Sequence, residues 1–268
     1  MAILATFLRD DKDVANVRRI GAYLRRHGFF VACVNPGFDT SQLCDDNQLV
    51  DYLHCDLYVE RRNSGYDFGS WAEGFFTLKA RGELHSETTQ ELLIINDSCV
   101  FTDENSELID KARSIPVDVV GLTDSYQFLH HIQSNFMLVR RFQHCDTVLD
   151  SFFTEYLGRS LQSKDDVIQY GELALARKFE QMQIQCKPVF EMQQLLAMTQ
   201  EKYADSPAGS WERQTADKLA EGQLLNPHHY LHEALYLDLG CPLIKKELLR
   251  DNPGGFPEVD RYRERVPH

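Results

Sequence analysis

Short continuous apolar runs alternate along the first half of this chain with segments whose apolar positions recur at helical spacing. Ala2 to Leu8, Phe29 to Val34, Leu57 to Glu60, Leu92 to Ile95 and Val117 to Leu122 are the runs, and runs of that length flanked by turn residues predict buried strands. Between the first two, Val14, Val17, Gly21 and Leu24 fall on one face of a helix. Asp10 to Asp13 open it and Arg25, Arg26 and His27 close it, the charge order a helix dipole favours, and Gly28 supplies the stop. Strand, helix and strand at this spacing predict a βαβ unit and a parallel sheet. The turn cluster Asn35-Pro36-Gly37-Phe38-Asp39 then falls on the same sheet edge as Arg9 and Asp97.

Trp71, Phe75 and Leu78 mark a helix from about Gly69 to Ala80, and Asn105 to Ser114 is a second candidate. His130 to Arg141 alternates into a strand with polar groups at its entry. Ser163 with Asp166 three residues on resembles a short-armed capping box that opens a further helix. The stripe of that helix steps through Ile168, Glu172, Leu175, Phe179 and Met182, which puts Glu172 on the inward face. A carboxylate there is costly unless paired or used. Desolvation is expected to raise its pKa and suit it to act as a base near neutral pH. The alternative is a half-buried Glu in the helix's first turns that reaches solvent. Residues 199–224 are polar and helix-forming, broken at Ser206 to Ser210, and read as a mobile loop or lid. Asn226-Pro227-His228-His229, the apolar segment Leu231 to Leu239 and Pro242 to Arg250 follow; beyond Asn252-Pro253-Gly254-Gly255 the charged residues read as peripheral.

Composition narrows the class. With 268 residues, 43% of them hydrophobic and 26% charged, the chain has ample material for the core of a globular protein. A formal net charge of −13 argues against nonspecific binding to nucleic acid or to anionic lipid, so no nucleic-acid partner is expected. The 7 cysteines contain no C-x-x-C pair and suggest neither a disulfide framework nor a zinc site. Adjacent histidines on a strand face opposite ways, so His130 and His131 do not make a chelating pair; one of them is expected to bond substrate or a backbone group. No apolar run approaches the ~18 residues of a membrane span. Met1 to Phe7 is too short, and lacks the basic start, for a signal peptide. The expected location is the cytoplasm.

Candidate chemistry concentrates between Arg61 and Ser98. Asn96-Asp97-Ser98 ends an apolar run, and open α/β sheets bind ligands at the carboxyl ends of their strands. Upstream, Gly65 and Gly69 are spaced for close backbone approach, Asn63 and Asp67 offer oxygens, and Arg61 and Arg62 can meet an anion. The two stretches read as the lips of one nucleotide-phosphate site. Ordinary turn chemistry after a strand, and a plain loop into an amphipathic helix, account for the same residues.

Five blocks occur in order: R-x-N-x-G-Y-D-F-G-S-W from Arg61, I-I-N-D-S, G-L-T-D-S, H-x-Q-S-x-F from His131 and P-x-I-K-x-E-L-L-R-x-N-P from Pro242. The series resembles the rhamnan synthesis protein F family of bacterial polysaccharide glycosyltransferases and spans roughly residues 58–253. The resemblance implies an α/β, GT-A-like fold: a Rossmann-type, mostly parallel sheet flanked by helices. Residues 1–198 would be the nucleotide-sugar-binding and catalytic core, and 199–268 a mobile loop and helical acceptor-side segment of the same domain. It further implies transfer of rhamnose or another hexose, with inversion, from a dTDP- or UDP-linked donor to an oligosaccharide or lipid-linked glycan of a cell-surface polysaccharide. Peripheral association with the inner face of the membrane, through other biosynthetic enzymes, is part of the same picture.

By that resemblance Asp97 takes the place of an acidic motif that holds Mg²⁺ or Mn²⁺ on the diphosphate. Only one carboxylate of the usual pair is present, so Asp97 alternatively holds sugar hydroxyls while Arg61 or Arg62 meets the phosphates. Glu172 matches the catalytic base; Arg61, Asn63, Gly65, Asp67, Gly69, Asn96 and Ser98 fall on the donor side, and His131, Gln133, Lys245, Lys246 and Arg250 on the acceptor or diphosphate side. Two other classes are weighed. A noncatalytic sugar-binding module would keep the glycine loop without needing Glu172. A phosphosugar phosphotransferase or hydrolase would use Asp97 as nucleophile or metal ligand, although the chain has neither a Walker A loop nor a D-x-D at its first strand.

Overall fold

A computed structural model describes residues 1–36, 46–161, 163–223, 225–252, 255–257 and 259–266. The turns read at Gly37 to Asp39 and at Pro253-Gly254 lie outside the described residues. In chain order the elements are β1 (Ala2–Ala5), α1 (Asp11–Arg26), β2 (Val31–Asn35), α2 (Asp46–Leu53), β3 (Leu57–Glu60), α3 (Tyr66–Ala80), β4 (Leu92–Asn96), β5 (Cys99–Phe101), α4 (Leu108–Ser114), β6 (Val119–Ser125), β7 (His131–Ile132), β8 (Phe136–Val139) and α5 (Phe142–Leu157). A short helix α6 (Lys164–Val167) runs through a π turn, Ile168–Glu172, into α7 (Leu173–Gln181). Then come β9 (Cys186–Phe190), α8 (Met192–Tyr203), α9 (Trp211–Ala220), α10 (Pro227–Tyr230), a second π turn at Ala234–Asp238, β10 (Leu243–Lys245), α11 (Lys246–Arg250) and α12 (Asp260–Arg263).

Within the described residues the main sheet has the order β3-β2-β1-β4-β8-β6, continued by β7, with β9 also paired to β6. The strands β1 to β4 are parallel, as the βαβ pattern requires, and β9 runs parallel to β6. By contrast, β8 lies antiparallel to both β4 and β6. The α/β class is the expected one: a mostly parallel sheet between layers of helices. The interval read as one strand from His130 to Arg141 is two strands, broken at Gln133 to Asn135.

The pleat divides the core. Ala2 and Leu4 face a cluster with α1, α4 and the C-terminal segment, while Ile3 and Ala5 face α3, α5 and α7, as period-two alternation demands. On that second face, helix α5 contributes Phe142, Cys145, Leu149, Phe152 and Phe153. Residues 199–224, read as a loop, hold the end of α8 and all of α9. Thr199, Tyr203, Thr215 and Leu219 are buried there, and Tyr203 meets Trp211 edge-on at 5.8 Å.

The carboxyl end of β4 is fixed from both sides. Asp97 N donates to Ala5 O at 3.1 Å, and the indole of Trp71 on α3 donates to Ile95 O at 2.9 Å. The small antiparallel pair of β5 with β10 sets Lys245 opposite Cys99, and Lys246 N donates to Ser98 O at 3.0 Å. The C-terminal segment therefore closes over the strand end where the sequence places its chemistry.

Candidate active site

A cavity of about 190 Å³ opens at the end of β4, lined by Tyr66, Asp67, Asn96, Gln133, Ser134, Asn135, Glu172, His228 and Lys245 among others. Asp67 enters it from the first turn of α3 and accepts from Asn96 Nδ2 at 2.7 Å. The side-chain Oδ1 of Asn96 accepts from Ser98 Oγ at 2.6 Å and Ser98 N at 3.2 Å, so both ends of the side-chain amide are engaged. Lys245 Nζ donates to Ser98 Oγ at 3.2 Å. Asp67 is only partly exposed, and desolvation, reinforced by nearby Asp97, pushes its carboxyl up to about 6.

Glu172 ends the first π turn, a local widening of the helix that recurs at functional sites. The turn packs closely on Phe68 at Gly171, where a Cβ would come within 2.6 Å of the ring. One Glu172 oxygen accepts from the Ser134 hydroxyl and from Ser134 N, and the other faces His131 Nε2 at 3.6 Å. The expectation of a raised pKa is corrected here. Desolvation does push the carboxyl up, but the bonds from His131 and Ser134 outweigh it and hold Glu172 below its ordinary value. The His131 imidazole, despite its burial, is raised by Glu172 and by the Leu129 carbonyl, which lies 2.9 Å from Nδ1. Met182, expected on the inward stripe, is 60% exposed because it caps the helix, and Gln183 follows in a left-handed turn.

A second cavity, about 330 Å³, shares Ser134 and Glu172 with the first. Its wall is more apolar, with Leu129, Ile132, Met137, Leu175 and Phe179, and His130 and His131 at one side. Glu172 thus stands between two spaces.

The predicted residues do not all converge. Asp67, Asn96, Gln133, Glu172 and Lys245 meet in the first cavity, with Ser98 behind Lys245 and His131 behind Glu172. Arg61 is turned into its own loop, where its guanidinium donates to Ser64 O, Ser70 Oγ and Tyr66 O. Those bonds brace the loop rather than present an anion site. Gly65 is the left-handed residue at the N-cap of α3 (φ 74°) and its carbonyl accepts from Tyr156 OH at 3.0 Å; Gly69 leaves room for the Arg61 guanidinium. Asn63 is exposed. Arg250 is exposed too and pairs with its neighbour Asp251 at 2.9 Å, away from the cavity.

Asp97 points to a different partner from the one expected. Its Oδ2 accepts from Lys246 Nζ at 3.0 Å, and the same ammonium lies 2.6 Å from Asp13 Oδ1. An ammonium on the strand-end carboxylate, and an Asn96 oxygen already doubly bonded, do not fit a divalent cation, which needs several oxygen ligands. Among the described residues no group of three or more His, Cys, Asp or Glu side chains is arranged to hold a metal ion.

Several residues of the site carry no sequence assignment. Asn135 is the unspecified position of the H-x-Q-S-x-F block; its Nδ2 lies 3.0 Å from His228 Nε2, and its buried Oδ1 has no partner. His228 Nδ1 lies 2.7 Å from Tyr236 OH, which also accepts from Lys245 N at 3.2 Å. Burial holds His228 well below its ordinary pKa, so the ring is neutral. Tyr236 sits on the second π turn.

An α/β sheet with a polar, carboxylate- and lysine-lined cavity at the carboxyl edge of its parallel strands defines the class: a ligand-handling protein of Rossmann-like construction. The rhamnan synthesis protein F family matches residues 39–208. This chain belongs to that family, and a glycosyltransferase-like role in polysaccharide synthesis goes with the membership. The virulence protein VirA of Vibrio anguillarum is 29% identical over 269 residues, 99% of this chain and 84% of VirA. Among solved structures, the nucleoside-diphosphate-sugar pyrophosphorylase from Vibrio cholerae RC9 aligns with a TM-score of 0.46 at 9% identity, over 72% of this chain and 93% of that one. The galactosyltransferase LgtC, solved with donor and acceptor sugar analogs, aligns with a TM-score of 0.35 at 10% identity, over 64% and 71%. Neither structural likeness is close enough for that protein's chemistry to carry over to this chain. No helix among the described residues is long and apolar enough to cross a membrane.

Proposed function

We propose that this protein transfers a hexose, rhamnose being the first candidate, from a dTDP- or UDP-linked donor to a cell-surface glycan acceptor with inversion at the anomeric carbon. The observation that carries the reading is Glu172 standing between two adjoining cavities, ionised and held by His131 and Ser134. The donor takes the cavity of Asp67, Asn96, Gln133 and Lys245. The acceptor takes the more apolar one. Asn135 Oδ1, buried and without a partner, supports a hydroxyl-bearing ligand, since an unmet acceptor is costly.

In the reaction the acceptor oxygen forms its bond to the anomeric carbon while the bond from that carbon to the diphosphate oxygen breaks. The electron pair leaves with the diphosphate, beside Lys245. The acceptor proton passes to Glu172. A carboxylate held below its ordinary pKa is a weaker base, but it is fully ionised at neutral pH, and it accepts a proton from a hydroxyl that has become acidic in the transition state. A noncatalytic module would gain nothing from a buried carboxylate held in this way.

A thermal-shift screen of nucleotide sugars, followed by transfer assays with Glu172→Gln, tests the reading. One donor is expected to raise the melting temperature of both proteins equally. The variant's kcat is expected to fall by about two to four orders of magnitude. Unchanged kcat in Glu172→Gln would remove the residue from the mechanism.

A further inference from the structure

Asp13 and Asp97 are buried side chains, 5% and 9% exposed, and both bond one ammonium, Lys246, itself 16% exposed. Asp13 is braced in turn by Arg9 at 2.9 Å, and Arg9 and Lys246 together hold its carboxyl below the ordinary range against desolvation. The arrangement is fixed by backbone. Asp13 belongs to α1, Asp97 follows β4, and the β5–β10 pairing delivers Lys245 and Lys246 to the same point.

We infer that Lys246 stands where a metal-dependent site would hold its divalent cation, and that Lys245 supplies the positive charge met by the donor's diphosphate. Lys246 neutralises the strand-end carboxylate that would otherwise repel a diphosphate. An ammonium has three N–H donors, of which Asp13 and Asp97 take two. Lys245 lines the donor cavity beside Asp67 and Asn96. Lysine binds phosphate as a point charge without a fixed fork geometry. A divalent ion brought to Asp97 would meet an ammonium 3.0 Å from its ligand, and like charges at that range repel strongly in a partly buried site. This inference rests on the transferase reading, and it assigns the neutralisation of the leaving group to the chain itself.

Titration calorimetry with UDP and with dTDP, each in EDTA and in excess Mn²⁺, tests the assignment alongside Mn²⁺ electron paramagnetic resonance without nucleotide. At least one nucleoside diphosphate is expected to bind the wild-type protein with affinities that agree within about twofold in the two conditions. Lys245→Ala is expected to weaken that binding about tenfold or more, while the affinity for the matching nucleoside stays within about twofold. The wild-type protein is expected to leave the Mn²⁺ spectrum that of the free ion. Nucleotide binding that EDTA abolishes and Mn²⁺ restores would overturn the inference while leaving the transferase reading intact, and so would Mn²⁺ bound by the wild type alone. Failure of both nucleotides to bind in either condition would bring down the transferase reading and this inference together.

Discussion

His131 Nε2 faces Glu172 Oε2 across 3.6 Å, with His131 buried and Glu172 a fifth exposed. The Nδ1 atom lies 2.9 Å from the Leu129 carbonyl, which can only accept, so Nδ1 carries a proton. A hydrogen bond from Nε2 to Glu172 then requires the imidazolium, and each group shifts the other toward its charged form. The pair has the form of a base oriented by a cation, its two members contributed by different elements of the fold.

That coupling fixes the pH response of a His131→Gln variant. With His131 present, Glu172 is held below its ordinary value; without it, desolvation of the carboxyl is opposed chiefly by Ser134, and the carboxyl rises. The acid limb of the kcat profile, which reports the base in the bound complex, is expected to move to higher pH. A limb that stays in place would separate His131 from Glu172 function.

Asp67 gives a stability prediction of opposite sign from an ordinary ion-paired acid. Its folded pKa of about 6 lies above the ordinary 3.8, so the unfolded chain loses this proton first as pH rises. The folded state is therefore penalised increasingly between about pH 4 and pH 6, and fully above that. Asp67→Asn still accepts from Asn96 and removes the penalty. Urea unfolding is expected to show a gain of about 1–2 kcal/mol at neutral pH, discounted for the pocket's solvent, and little change near pH 4. Asp67→Ala is expected to raise the KM for the donor more than for the acceptor.

The Gly171 contact links fold to site. Phe68 is 2% exposed and packed against Trp71, Phe152 and Tyr156 at ring-centroid distances of 4.8, 5.8 and 5.3 Å, so its ring is held on those sides. Gly171→Ala is expected to cost about 1–3 kcal/mol and to lower kcat by displacing Glu172 on its π turn. A lower urea midpoint at unchanged slope is the measurement. Wild-type stability in this variant would mean that Phe68 yields after all.

The half of the fold made by β1 to β4 was legible because buried parallel strands write themselves as apolar runs, which placed Asn96 and Asp97 at a strand end, while Glu172 stood out as a carboxylate on the stripe of a helix. The capping box at Ser163 was legible too, since Ser163 Oγ accepts from Asp166 N at 3.1 Å and Asp166 returns the bond at 3.0 Å. The antiparallel placement of β8 was not, because strand order is decided by pairing between distant segments and leaves no mark on periodicity. Helix α5 was missed although Phe142, Cys145, Leu149, Phe152 and Tyr156 recur at helical spacing. The partner of Asp97 lies 149 residues away, and the lowering of Glu172's pKa depends on Ser134, in the break between β7 and β8, and on His131 in β7, 38 and 41 positions earlier. Nothing local to Glu172 encodes either neighbour.

The central claim is a single displacement assisted by Glu172, and NMR of the product's anomeric centre tests it most directly. With a nucleotide sugar of known anomeric configuration, the account predicts a product linkage of the opposite configuration. A product that keeps the donor's configuration would contradict it, whatever the rate of Glu172→Gln.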